Sequence, residues 1–175
     1  MPLGVGLVPL GSLIENVLPV YEKKDPAHRF DHIQRIMGFC RMIGEELGAN
    51  MDLLLRAAII HGIKNKQQLR DVLGDDYDRI TSTAEYHPEG PRSLEEKILM
   101  DANVLDGLGA MRLAREFTKG GYENRTPEET IRSIKENIDR PRPLFTEPGK
   151  RMSIKLSKEM HEFLTKLERS PNQSV

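Results

Sequence analysis

Apolar residues recur along this chain at the three- and four-residue spacing of helices, and no segment alternates with the two-residue period of a strand. The most apolar stretch is 53–65, LLLRAAIIHGIKN, in which Leu54, Ala57, Ala58 and His61 share one helical face. A helix that is apolar nearly all round is a buried central helix. Asn50 or Asp52 is placed to cap it. Before it, Ile33, Ile36, Met37, Cys40, Ile43 and Leu47 keep helical period from Asp31 to Leu47, and Gly48 supplies the stop. Earlier still, Ser12 with Glu15 in the capping-box position predicts a helix to about Lys24, which Pro19 should kink or shorten. Residues 1–11 read as an irregular or strand-like arm, and Asp25-Pro26 breaks the chain.

Beyond the central helix, residues 64–74 predict a short helix closed by Gly74, and Asp75 to Tyr86 another, stopped by Pro88-Glu89-Gly90-Pro91. Ser93 with Glu96 opens the next, on which Leu94, Ile98, Asp101 and Leu105 share a face. A helix over 110–119 ends at Gly120-Gly121, and Thr126-Pro127-Glu128-Glu129 starts one running to Ile138. Pro141, Pro143 and Pro148 make 140–149 a loop, open between a lid and simple packing. A last helix covers roughly 150–169, and 170–175 read as a frayed tail. The expected class is all-α, a single-domain helical bundle over 1–175.

Composition narrows the picture. At 175 residues a single domain can bury a sizeable core. Aromatics are 5% and Trp is absent, so that core rests on Leu, Ile, Met and Ala, which favour helices. The net charge is −1 with no basic face, which argues against nucleic acid as a partner. The single cysteine, Cys40, cannot form an internal disulfide and reads as a small buried residue, so a reducing cytoplasm is expected. No run approaches the roughly 18 apolar residues of a membrane span, so no membrane is expected. Met- and Leu-rich helices could support a homodimer.

The candidate chemistry lies in polar residues on apolar faces: His32, His61 and Asp101, each from a different helix. Two imidazoles and a carboxylate suit a divalent cation such as Mn, Fe, Ni or Zn. The competing reading, equally weighted on pattern alone, satisfies each one separately with a backbone group or water. His28, one turn before His32, either joins the pocket or lies in solvent. His87 either follows Ile80 and Ala84 inward or is a turn residue beside Pro88. Arg35 and Lys97 either bind phosphate or lie along the surface with their charges in water.

At these residues the sequence resembles a family. His28-Arg-Phe-Asp-His32-Ile-Gln-Arg35, His61 after LLLRAAII, EEKILMDANVLDGLGAMRLAR, and Leu144-Phe-Thr-Glu-Pro-Gly149-Lys-Arg are similar to the small bacterial and archaeal members of the HD superfamily of metal-dependent phosphohydrolases. The resemblance implies an all-helical fold and hydrolysis of a phosphoester or phosphoanhydride, usually in a nucleotide. The metal ligands it implies are His32, His61 with position 62, and Asp101, holding Mn, Ni, Fe, Zn or Mg. The chain departs from the family at the defining dipeptide, where Gly62 replaces the expected aspartate. Lys64-Asn65 stand where Gly-Asp is common, and Asn103-Val104 replace an aspartate and an arginine. Two main readings follow, beside a weaker one of a purely structural helical scaffold with no ligand. One is a protein with a degenerate site, weak or no metal and little or no hydrolysis, which acts as a subunit or as a binding or regulatory module for a nucleotide or another small phosphorylated molecule. The other is a working phosphohydrolase with a reduced His/His/Asp set, with Glu85 or water replacing the lost carboxylate and His28, Arg35, Lys64, His87 or Lys97 binding phosphate.

Overall fold

A central helix buried on every side needs partners all round it, and the fold supplies them. The computed structural model describes residues 8–24, 29–138, 140 and 142–169. Regular structure among them is helical: α1 (Leu10–Glu22), α2 (Phe30–Leu47), α3 (Met51–Ile60), α4 (Arg70–Leu73), α5 (Tyr77–Thr83), α6 (Leu94–Asp106), α7 (Gly109–Tyr122), α8 (Pro127–Ile138) and α9 (Glu147–Glu168). The Asp25-Pro26 break, the first seven residues of the arm and the 170–175 tail lie outside the described residues. No helix among the described residues is long and apolar enough to cross a membrane.

Every residue of α3 from Leu53 to Ile60 is buried. Helices α1, α2, α5 and α6 pack around it. Burying side chains such as Leu54, Ile59 and Ile60 stabilises the fold by about 1.5–3 kcal/mol each. Even Arg56 is enclosed, and its guanidinium reaches the Asp52 carboxylate one turn back at 2.8 Å. Asn50 is the cap: its side-chain oxygen accepts from the Leu53 N–H at 3.1 Å. Gly44 lets α2 approach closely, because a Cβ there would stand 2.6 Å from the Met51 sulfur. A second, smaller apolar cluster of Leu113, Ile134, Met160 and Leu164 joins α7, α8 and α9.

Several boundaries differ from the expected ones, each for a local reason. Helix α1 starts after Pro9, so Ser12 lies inside it, and it continues through Pro19. Pro19 and Glu15 are both exposed, so the Glu15 carbonyl that loses its donor can turn to water. The 64–86 stretch forms two 3₁₀ turns, the single turn of α4 and the short α5 in place of two helices. Only scattered residues there, Leu69, Leu73 and Ile80 among them, find the core. Helix α7 runs past Gly120-Gly121 to Tyr122 because a bare Gly120 lets Thr130 of α8 pack against it. Helix α9 begins at Glu147, earlier than its apolar period, because Thr146 caps it by accepting from the Gly149 N–H at 3.1 Å. The Ser93 box is only half reciprocal, with Ser93 Oγ accepting from the Glu96 N–H at 3.1 Å while the Glu96 carboxylate accepts from the Arg92 N–H at 2.7 Å, whereas Thr126 and Glu129 bond reciprocally.

Candidate functional site

His61 is the residue just past α3, at its C-terminal cap, and its imidazole meets the N-terminal turn of α2. His61 and His32 meet there with ring centroids 6.1 Å apart. Burial, with the His32, Lys24 and Lys66 charges nearby, lowers the His61 pKa to about 4, so its ring is neutral at neutral pH. The two rings line a cavity of about 280 Å³ with Lys24, Gly62, Asn103, Asp106, Arg112 and Arg142.

The carboxylate beside the histidines is Asp106. Its Oδ2 accepts from His32 Nδ1 at 2.6 Å, its Oδ1 accepts from Arg35 Nε at 2.6 Å, and Arg115 Nη1 donates to Oδ2 as well. Burial alone would raise this carboxyl. The hydrogen bonds from His32 and Arg35 and the Arg115 charge outweigh it and hold the pKa at about 2. Asp106 is therefore ionised, and His32 carries its proton on Nδ1.

Asp101, grouped with the histidines from the sequence, does not line this cavity. Its side chain is fully buried on another face of α6. Oδ1 accepts from the Phe145 N–H at 2.8 Å, and Oδ2 accepts from the Thr146 N–H at 2.8 Å and the Thr146 hydroxyl at 2.6 Å. A Cβ on Gly149 would collide with that carboxylate. Asp101 thus pins the start of α9, which accounts for the Thr-Glu-Pro-Gly segment in this chain. Two residues along a helix turn the side chain about 200°, so it is Asn103, with Asp106 one turn on, that α6 presents to the histidines. Among the described residues, no three of His, Cys, Asp or Glu come together in an arrangement that could hold a metal ion.

Of the phosphate candidates, Arg35 is engaged by Asp106 and by Asp31 at 2.9 Å. His87 lies within 3.2 Å of the Ser82 carbonyl oxygen and is not among the cavity's lining residues. Lys64 is exposed and Lys97 half-buried, and neither lines the cavity. His28 lies outside the described residues. Glu85 is exposed and lines an outer lobe of about 330 Å³ that opens from His61, Asn103 and Arg142 past Tyr86, Leu99 and Met100.

The residue that sequence reasoning missed most completely is Lys24, just past α1. Its ammonium donates to the Gly62 carbonyl at 2.6 Å and lies 4.4 Å over the Tyr21 ring. Tyr21 is itself fixed, donating to the Ile59 carbonyl at 2.8 Å and accepting from the Gly62 N–H at 3.2 Å. A Cβ on residue 62 would stand 2.9 Å from Lys24 Nζ and 3.0 Å from the Tyr21 hydroxyl. The space that a side chain at 62 would need is thus filled by a cation and a phenol.

With this geometry in hand, comparison with solved structures places the fold. The chain matches an HD-superfamily hydrolase from Bacillus thuringiensis with a TM-score of 0.74, at 21% identity, over 93% of this chain and 96% of that one. It matches Bacillus subtilis YpgQ in complex with ADP with a TM-score of 0.70, at 18% identity, over 90% and 97%. A predicted HD superfamily hydrolase from an uncultured Thermotogales bacterium gives 0.64 at 22% identity, over 90% of each chain. No protein-family model and no curated protein matches the sequence. The all-α fold of this chain is that of the HD-superfamily hydrolases.

Proposed function

We propose that this HD-fold protein binds a phosphorylated small molecule of the nucleotide type and does not carry out the metal-dependent hydrolysis that the family resemblance implies. The observation that carries the reading is the Lys24 ammonium seated on the Gly62 carbonyl, in the space of the missing residue-62 side chain. A fixed positive charge there repels a divalent cation and attracts a phosphoryl group. The donor set points the same way. Gly62 and Asn103 bring no negative charge, and Asp106 is saturated by His32, Arg35 and Arg115. Arg112 and Arg142 add two more cations to the cavity wall. A divalent ion is therefore a poor fit to the described residues, and without one nothing among them lowers the pKa of an attacking water.

The lining of the two cavities supports a nucleotide as this ligand. Its phosphates would meet Lys24, Arg112 and Arg142, while the outer lobe offers Leu99, Met100 and the exposed ring of Tyr86 to a base. The ADP bound to the similarly folded YpgQ supports this class of ligand. The test is an overnight incubation of the protein with ADP, ATP and GTP plus Mn or Ni, resolved by chromatography, alongside thermal melts with each nucleotide. A nucleotide-dependent rise in Tm without turnover is expected. Divalent-dependent turnover that disappears in His61→Ala would overturn the proposal in favour of a working hydrolase.

A further inference from the structure

We propose that the base taken by this site is guanine, read by the buried carboxylate of Glu96 in the outer lobe. The inference rests on the nucleotide reading given above and names the base. Glu96 is 7% exposed and lines the lobe from the first turn of α6. Met100 and Asn103 follow it at i+4 and i+7 and line the same lobe, so the three form one stripe of the helix. The stripe ends at the inner cavity, which shares Asn103, His61 and Arg142 with the lobe. Seven residues of helix separate Glu96 from Asn103 by about 10 Å along the axis. A nucleotide whose phosphates lie by Arg112 and Arg142 therefore turns the far edge of its base to Glu96, with Leu99 and Met100 against its face.

A carboxylate at that edge selects by hydrogen-bond donors. Burying a charge is costly unless hydrogen bonds hold it. Glu96 Oε2 accepts from the Arg92 N–H at 2.7 Å, and His87 Nε2 stands 3.8 Å from the same oxygen, beyond hydrogen-bond distance. Both contacts fall on Oε2, whereas a carboxylate offers acceptor sites on each of its oxygens. A ligand that brings two adjacent donors adds bonds that these contacts do not supply. Guanine carries such a pair in its N1–H and its 2-amino group. Adenine and cytosine carry one amino donor beside a ring-nitrogen acceptor, and uracil a single N–H between two carbonyls. Their acceptors would face the carboxylate unpaired, and a site built to hydrogen-bond one partner rejects a near-isostere for that reason. The bonds to guanine are charge-assisted, which strengthens the discrimination.

The experiment is isothermal titration of the full chain in chelator with GDP, ADP, CDP and IDP, the last being GDP without its 2-amino group, and of Glu96→Gln with GDP and ADP. Glutamine keeps an oxygen for the Arg92 N–H, and circular-dichroism melts check that the variant stays folded. GDP should bind at least roughly tenfold more tightly than ADP or CDP, and IDP should lose roughly tenfold against GDP, the size of one charged hydrogen bond. In Glu96→Gln the ratio of GDP to ADP affinity should fall close to one. IDP that binds as tightly as GDP overturns the inference whatever the variant does, because only the ligand has changed. ADP that binds as tightly as GDP, or a guanine preference that persists in Glu96→Gln, also overturns it and leaves the nucleotide reading standing. No binding of any of the four nucleotides overturns both.

Discussion

Replacing Asp106 by Asn removes one charge from a knot of four groups, and its cost can be worked from the geometry. The carboxylate is 3% exposed and accepts from His32, Arg35 and Arg115. Its pKa falls from 3.8 to about 2 on folding, which at 1.36 kcal/mol per unit corresponds to about 2 kcal/mol of stability at neutral pH. Asparagine keeps the shape and one acceptor, but it leaves two arginines without their shared counter-ion. Breaking a buried ion pair from one side costs about 3–5 kcal/mol. Arg35 keeps Asp31 at 2.9 Å, so the lower part of the range applies to it. Urea denaturation at pH 7 should therefore show Asp106→Asn losing about 2–5 kcal/mol, a large share of the roughly 5–15 kcal/mol typical of a domain. The pH dependence follows from the same shift. A depressed carboxyl contributes stability that is present above pH 3.8 and lost as pH falls towards 2, so the wild-type chain has an acid slope in that window that the variant lacks. A loss under about 1 kcal/mol, the size of an ordinary neutral hydrogen bond, or an unchanged acid slope, would refute the ionised-knot reading.

Further outcomes follow from the same geometry. The unfolded chain binds a proton at His61 near pH 6.5 but the folded chain only near 4, so stability is complete above 6.5 and falls by about 3 kcal/mol as pH drops to 4. Denaturation curves of His61→Gln should be flatter across that window, and an unchanged slope would place the titration elsewhere. Gly62→Asp puts a carboxylate against Lys24 Nζ and the Tyr21 hydroxyl. It should pair with the ammonium, weaken phosphate binding and recruit no metal by mass spectrometry, whereas Lys24→Ala/Gly62→Asp/Asn103→Asp should take up a divalent ion. Metal uptake by the single variant would contradict the seating of Lys24. Asp101→Asn weakens the bonds to Phe145 and Thr146 and should destabilise by about 1–3 kcal/mol while leaving anion affinity unchanged. A shift in affinity would return Asp101 to the site.

The parts of this fold that were legible are those governed by short sequence separation. The stop at Gly48, the Ser93 and Thr126 caps and the buried run 53–60 each depend on residues within a turn or two. The approach of His61 to His32 was legible too, because each lies at the end of an apolar helix that has to pack. The identity of the carboxylate was not. Helix α6 is buried on more than one face: Ile98, Asp101 and Leu105 on one side, Leu99 and Asp106 on others. Periodicity finds a buried face but does not say which neighbour it meets. Asp101 meets the strap before α9, forty-four and forty-five residues on. Lys24 was invisible for a related reason. Its partner is a backbone carbonyl thirty-eight residues away, and a carbonyl leaves no trace in the sequence. The only local sign was the absence of a side chain at Gly62, which reads as a lost ligand until the cation that fills its place is seen.

In the proposed function Lys24 does the work of a bound cation, and calorimetric titration of ADP shows whether it does. In excess chelator the full chain should bind ADP saturably, Lys24→Gln should bind it at least roughly tenfold more weakly, and added Mn should leave the wild-type affinity unchanged. Binding that appears only when Mn is present, and that survives in Lys24→Gln, would mean that a metal ion and not Lys24 holds the phosphates.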